Sequence, residues 1–289
     1  MASRQQIKQR IGSVKNTRQI TKAMQLVAAS KLRRAQEAVQ KPRAYADMAR
    51  GILTRLRQIA ADESEFKLFT ERPIKHRLII AVTSDLGLAG AYDANVIRAL
   101  VNEAKADRDK GVKTSVIAIG RKAAQSASRI AGLEVEAVYT KMPDKPSADE
   151  LRPILKSVVA SFAEGRIDAV EVIFTKFISS VNSKVQKQRL LPAGFEEAEL
   201  DDEMSRADVE PSAGALLRAA TLRLLEAQLY QTFLESTASE HSMRMLAMKN
   251  ATDNASDLIE DLTLEYNNAR QAAITQELAE ITGGAEALK

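Results

Sequence analysis

The stretch MLAMKNATDNASDLIEDLTLEYNNARQAA, residues 245–273, decides the fold. Met245, Met248, Thr252, Ala255, Ile259, Leu262, Tyr266, Ala269 and Ala273 follow one another at alternating steps of three and four, which sets them on a single stripe of an α-helix. No Gly or Pro interrupts the chain between Gly214 and Gly283. The spacing therefore predicts one helix from about Ser212 to Thr282, on the order of 100 Å long at ~1.5 Å per residue. That is far longer than an ordinary globular helix, and its apolar stripe is too narrow for a broad core. Such a helix needs a partner of its own kind.

The other end of the chain supplies one. Ser3 and Gln6 have the spacing of a capping box, and Ile7, Ile11, Val14 followed by Ile20, Met24, Val27 repeat the seam. Tyr45, Ala49, Ile52, Leu56 and Ile59 continue it, with Pro42 expected to bend or break the helix between them. Charge agrees with pairing. Residues 1–60 carry 14 Lys plus Arg against Glu37 and Asp47, a balance of +12, whereas residues 212–289 carry 6 basic and 11 acidic side chains, a balance of −5. The ends attract each other, and the surplus on the first remains for an acidic partner. The expected architecture is a long antiparallel coiled coil of helices 1–60 and 212–289, with small residues such as Ala255, Ala269 and Ala273 allowing close approach.

Between the helices, residues 61–211 read as a Rossmann-like α/β domain. HRLIIAVTSD (76–85), KTSVIAIG (113–120), GLEVEAVYT (132–140) and DAVEVIFTKFI (168–178) are rich in β-branched residues, as strands are. Helical stretches near 92–110, 121–131 and 148–164 alternate with them, the last with Ser147 and Glu150 at its start and Gly165 at its end. That alternation predicts a mainly parallel sheet. KVQKQRLLP (184–192) adds an edge strand, and the acidic stretch 196–211 reads as a loop into the last helix.

The residues offer little for catalysis. Only 4% of the 289 residues are aromatic, Trp and Cys are absent, and no apolar run reaches the ~20 residues that cross a bilayer. SDLGLAG (84–90) between a strand and a helix is the most enzyme-like feature, since glycines there can bring backbone amides to a phosphate. Its spacing is not GxGxxG, however, and Gly120, Arg121 and Lys122 stand where a ribose-binding acid belongs, so a tight turn is the simpler reading. His76 and His241 have no second histidine at ligand spacing, and solvated or capping roles are expected of them. Asp201 with Asp202, and Asp257 with Glu260 and Asp261, read as solvated charges. No catalytic, metal or cofactor residue is assigned. The basic first helix lacks interleaved aromatics, so nucleic acid is not expected as a partner.

Four segments resemble the gamma subunit of the bacterial rotary (F-type) ATP synthase: ITKAMQLVAASK (20–31), KPRAYADM (41–48), RMLAMKNATDNAS (244–256) and ARQAAITQELAEI (269–281). SDLGLAG, PSADEL and FTKFIS also fit, although the family's SDRGLCG has Arg and Cys where this chain has Leu86 and Ala89. The resemblance implies a non-catalytic central-stalk rotor inside a ring of three alpha and three beta subunits, with the α/β domain on the epsilon subunit and the membrane c-ring. It implies a beta-subunit catch at Arg244, Arg270, Gln271 and Thr275. It places Lys22, Met24, Lys31, Arg33 and Arg34 at the rotor and beta interface, and Ile274, Leu278 and Ile281 in an apolar bearing tip. The expected location is peripheral, on the cytoplasmic face of the bacterial inner membrane, with membrane contact through partners only. A free-standing coiled-coil scaffold with an inserted α/β domain is the alternative.

Overall fold

A computed structural model describes residues 4–59, 67–144, 146, 148–193 and 213–287. Ser3, Ser147, the acidic stretch 196–211 and the pair Asp201 and Asp202 therefore lie outside the described residues.

Two long helices bracket the chain: α1, Arg4–Ile59, and α5, Ala213–Ala287. Helix α1 runs unbroken past Pro42, contrary to the expected break, because one missing N–H leaves the hydrogen bonds of the flanking turns intact. Between them come β1 (His76–Val82), α2 (Tyr92–Asp109), β2 (Lys113–Ile119), α3 (Arg121–Ala127), β3 (Leu133–Tyr139), α4 (Ala148–Ala163), β4 (Ala169–Ser179) and β5 (Asn182–Leu191). The strands form one sheet in the order β3-β2-β1-β4-β5. The first four are parallel, and β5 returns antiparallel to β4 as the expected edge.

The chain divides into two compact units, residues 1–28 with 244–289, and residues 29–243. In the larger unit, alternate residues of β1 serve opposite cores. Leu78, Ile80 and Val82 pack with Ile154, Val158 and Phe162 of α4 and with Leu225, Leu229 and Phe233 of α5. Ile79 and Ala81 pack with Val96 and Leu100 of α2 and Ala123 and Ala127 of α3. A parallel sheet covered on both faces buries its strands completely, which is why β1 and β2 read as continuous apolar runs.

In the smaller unit, the seam predicted for α5 is the half that turns away from water: Met248, Ala255 and Leu262 are buried, and Ile259, Tyr266, Ala269 and Ala273 are partly so. The seam predicted for α1 needs correction. Ile7 is buried and Ile11, Val14 and Met24 are half-buried, but Ile20 and Val27 are not inward; Thr21 and Ala28 are buried in their place, with Gln25 half-buried beside Met24. Ile20 and Val27 are 60% and 57% exposed. The same four-three rhythm continues through Leu32, Ala35 and Val39, all buried.

Candidate functional site

Three groups of residues carry the site, and each is set by its element. The first is the outer face of α1 in the smaller unit. With the inward positions taken by small and polar residues, Ile20, Leu26 and Val27 are left facing water, and Met24 is half-covered beside them. Lys22 is exposed on α1, its Nζ donating to Gln25 Oε1 at 3.4 Å.

The second group is the end of α5. From Ile274 onward every described side chain is exposed through Thr282, with Ile274 at 44%, Leu278 at 58% and Ile281 at 69%. Arg270, Gln271 and Thr275 lie within the same two turns and are exposed. Arg244 does not join them. It lies 26 residues earlier, on the order of 40 Å along the helix, and is only 8% exposed. The structure thus brings together three of the four residues expected in the catch, with the apolar tip, and leaves Arg244 in a buried setting.

The third group belongs to the larger unit, where α1 and α5 are tied to the β3–α4 loop. Asp144 Oδ2 lies 2.9 Å from Lys31 Nζ, and Asp144 Oδ1 lies 3.1 Å from His241 Nε2. The hydrogen bond from His241, against the opposing effect of burial and with help from Lys31, holds the Asp144 carboxyl well below the usual carboxylate range. His241 is 2% exposed, so the expectation of a solvated or capping histidine gives way to a buried one paired with a carboxylate. Arg33 lies 3.6 Å from Glu37 one turn on, and Arg34 points to solvent. Sequence reasoning missed Asp144 altogether. Its partners are about a hundred residues away on both sides, and a loop aspartate carries no local mark of that.

Also unforeseen is the way α5 is fastened to the sheet. Ser236, Ser239 and Ser242 recur every three residues. Ser236 Oγ accepts from Thr175 N at 3.4 Å and sits 2.7 Å from Tyr92 Oη, Ser239 Oγ donates to Thr175 O at 3.0 Å, and Ser242 Oγ donates to Ser180 O at 2.5 Å. Small hydroxyls let the helix sit close to β4 while satisfying strand groups beyond the reach of the ladder. The serine spacing was the available signal.

The SDLGLAG turn is closed by its own side chains. Asp93 accepts from Ser84 N and Ser84 Oγ, both at 2.8 Å, and Ser84 Oγ accepts from Gly87 N at 3.1 Å. Asp85 accepts from Arg121 N at 2.9 Å and Lys141 N at 2.6 Å. Asp93 takes up the Ser84 amide and Ser84 Oγ the Gly87 amide, so the turn is braced from within for chain reversal, with positive φ at Gly87, Leu88 and Gly90. His76 is half-buried, its ring nitrogens 2.9 Å from Arg166 O and 3.0 Å from Ser115 Oγ.

A family model described as ATP synthase matches residues 3–288. The ATP synthase gamma chain of Stenotrophomonas maltophilia (strain R551-3) is 40% identical over 288 residues, covering 100% of both chains. That of Cupriavidus pinatubonensis is 41% identical over 295 residues, again covering 100% of both. Among solved structures, a chain of the Euglena gracilis mitochondrial ATP synthase has a TM-score of 0.66 at 16% identity, covering 98% of this chain and 93% of its own. A chain from the central stalk and c-ring of the Tetrahymena thermophila enzyme has a TM-score of 0.60 at 24% identity, covering 80% and 99%. At those identities the structural likeness speaks to the fold.

Proposed function

The chain belongs to the ATP synthase gamma-chain family, and from that premise we propose that residues 1–60 and 212–289 pair as an antiparallel coiled-coil shaft, with 61–211 as the domain that anchors it. As a gamma chain it is a non-catalytic subunit, the central stalk that links rotation to ATP synthesis and, in reverse, to hydrolysis. The alternative of a free-standing scaffold is not favoured, since relatives matching the whole length are gamma chains.

The observation that carries the reading is the doubled apolarity of the terminal helices. One stripe of each is turned inward in the smaller unit, where Thr252 Oγ1 donates to Thr21 Oγ1 at 2.8 Å. A second stripe, with Ile20, Leu26 and Val27 on α1 and Leu264, Ile274, Leu278 and Ile281 on α5, stays open to water. A rod with a sealed seam and a greasy exterior suits a collar in which it must turn. Three alpha and three beta subunits around one such lopsided rod cannot all meet the same face. Each beta site then takes a different conformation and affinity, and turning the rod exchanges them. Arg270, Gln271 and Thr275 would hydrogen-bond a beta-subunit loop, the guanidinium gripping a carboxylate through two donors. Arg244 is proposed as a catch residue that works from a buried position, and Lys22, Met24, Lys31, Arg33 and Arg34 as rotor and beta contacts.

Among the described residues no helix is long and apolar enough to cross a membrane. We therefore place the chain peripherally, held through the epsilon subunit and the c-ring at the cytoplasmic face of a bacterial inner membrane. The test is reconstitution of the alpha–beta head with and without this chain. Cooperative, rotation-coupled ATPase activity should require it, and unchanged activity on omission would defeat the proposal.

A further inference from the structure

A groove of about 570 Å³ lies between α4 and the early turns of α5, lined by none of the residues named for the seam, the catch or the apolar tip. Its apolar lining comes from Leu155, Val159 and Leu222, with Ala160, Ala163 and Ala219 opening room between the two helices. Three cations, Arg152 and Lys156 on α4 and Arg223 on α5, line it as well, against one carboxylate, Glu226. Glu226 is shared between helices: Arg152 Nη2 donates to Oε1 at 3.3 Å and Arg223 Nη1 to Oε2 at 3.0 Å. One acid thus holds two guanidinium groups beside the groove, and with Lys156 a positive excess remains. The volume falls in the ~300–1,000 Å³ range of small-molecule sites, which pair a mostly apolar lining with a few placed polar groups.

We propose that this groove binds a single-chain amphiphilic anion, a long-chain carboxylate whose hydrocarbon lies along the leucine, valine and alanine lining and whose head meets Lys156 and Arg223. Charge complementarity selects the class. A cationic amphiphile of the same length would bring a fourth positive group against three, and an uncharged alcohol would gain nothing from the positive excess that remains beside Glu226. Arginine adds geometry to charge, because its fork can hold both oxygens of a carboxylate. The site uses none of the residues named for the seam, the outer stripes or the catch, although its α5 wall lies within the helix proposed for the shaft.

The chain has no tryptophan, so Leu222→Trp gives one reporter in the groove wall at a position already 37% exposed. Titrating the full-length variant with dibrominated stearate should quench its emission saturably at one site. Dodecanoate should reverse the quenching and dodecyltrimethylammonium should not. Adding Lys156→Glu and Arg223→Glu should weaken binding at least tenfold, and Lys156→Arg should preserve it, with far-ultraviolet circular dichroism confirming that both variants stay folded. The proposal is overturned by no saturable quenching, by equal displacement by the cationic amphiphile, or by indifference to charge reversal. Quenching that appears only after the acidic side chains of 196–211 are replaced by amides would also overturn it, and would assign the groove to the chain's own acidic stretch.

Discussion

Gly120 shows how tightly a single residue can be specified. It sits at φ 94° between β2 and α3, and a Cβ there would lie 2.2 Å from the carbonyl oxygen of Thr83. That oxygen belongs to the backbone and cannot swing aside, so Gly120→Ala combines positive-φ strain with a clash. It should destabilise the chain by about 3 kcal/mol or more, read as a fall in the urea midpoint. A second residue-scale prediction concerns Asp144. Its carboxyl is held below its ordinary value in the folded chain, so its contribution is fully present above the unfolded value of about 3.9 and is lost as the pH falls toward the folded one. Wild type should exceed Asp144→Asn in stability near pH 5 to 6, and the gap should close below about pH 4. With the side chain 47% exposed, solvent screening limits the difference to no more than about 1 kcal/mol. Arg77 stands at the other extreme. Its guanidinium meets Glu103 at 2.8 Å, Asp107 at 2.9 Å and Glu171 at 2.9 Å, the last two buried. Although burial acts upward on Glu103, the hydrogen bond and charge of Lys187, aided by Arg77, keep its carboxyl below the usual range. Arg77→Ala takes the guanidinium from buried Asp107 and leaves Glu171 to Lys187 at 3.5 Å and Arg189 at 4.0 Å, and should cost about 3 kcal/mol in thermal or urea melts.

At the scale of elements, the strands and the last helix were readable because a single pattern governed each: continuous β-branched runs for β1, β2 and the start of β4, buried on both faces, alternation for the half-exposed β3, and a strict four-three stripe for α5. Helix α1 was readable as a helix but not in its facing. Two apolar stripes run along it, and hydrophobicity cannot tell the stripe that meets a helix of the same chain from one that meets another subunit. The larger side chains Ile20 and Val27 drew the reading outward, while the seam uses Thr21 and Ala28, whose small size allows close approach, with Met24 and Gln25 both half-buried beside them. The Asp144 clamp and the Arg77 cluster were illegible for a different reason, since each joins residues that only the tertiary fold brings together. The two stripes make a testable contrast. Leu262→Ala, at a position 4% exposed, should cost about 2–3 kcal/mol through transfer and cavity terms. Ile20→Asp with Val27→Asp, both exposed, should change stability by no more than about 0.5 kcal/mol each. The same pair should abolish coupled ATPase activity in the assembled complex, and normal coupling would show that the outer stripe has no partner.

For the whole molecule, function depends on asymmetry carried on a chain that performs no chemistry. The +12 balance of residues 1–60 against −5 for 212–289 gives one flank of the proposed shaft a different charge from the other, in addition to different apolar stripes. A threefold collar senses such differences as unequal neighbours for otherwise equal sites. The contacts that distinguish the three positions must then be directional, and the end of α5 offers them in Arg270, Gln271 and Thr275 within two turns. Removing a bidentate donor and a hydroxyl from an exposed helix leaves the chain's own packing untouched. Arg270→Ala with Thr275→Ala should therefore keep the melting temperature within a degree or two while weakening torque or assembly severalfold. Single-molecule rotation of the reconstituted head measures this directly. Torque and turnover equal to wild type would remove the catch from the mechanism and leave the apolar stripes alone to set the angle of the shaft.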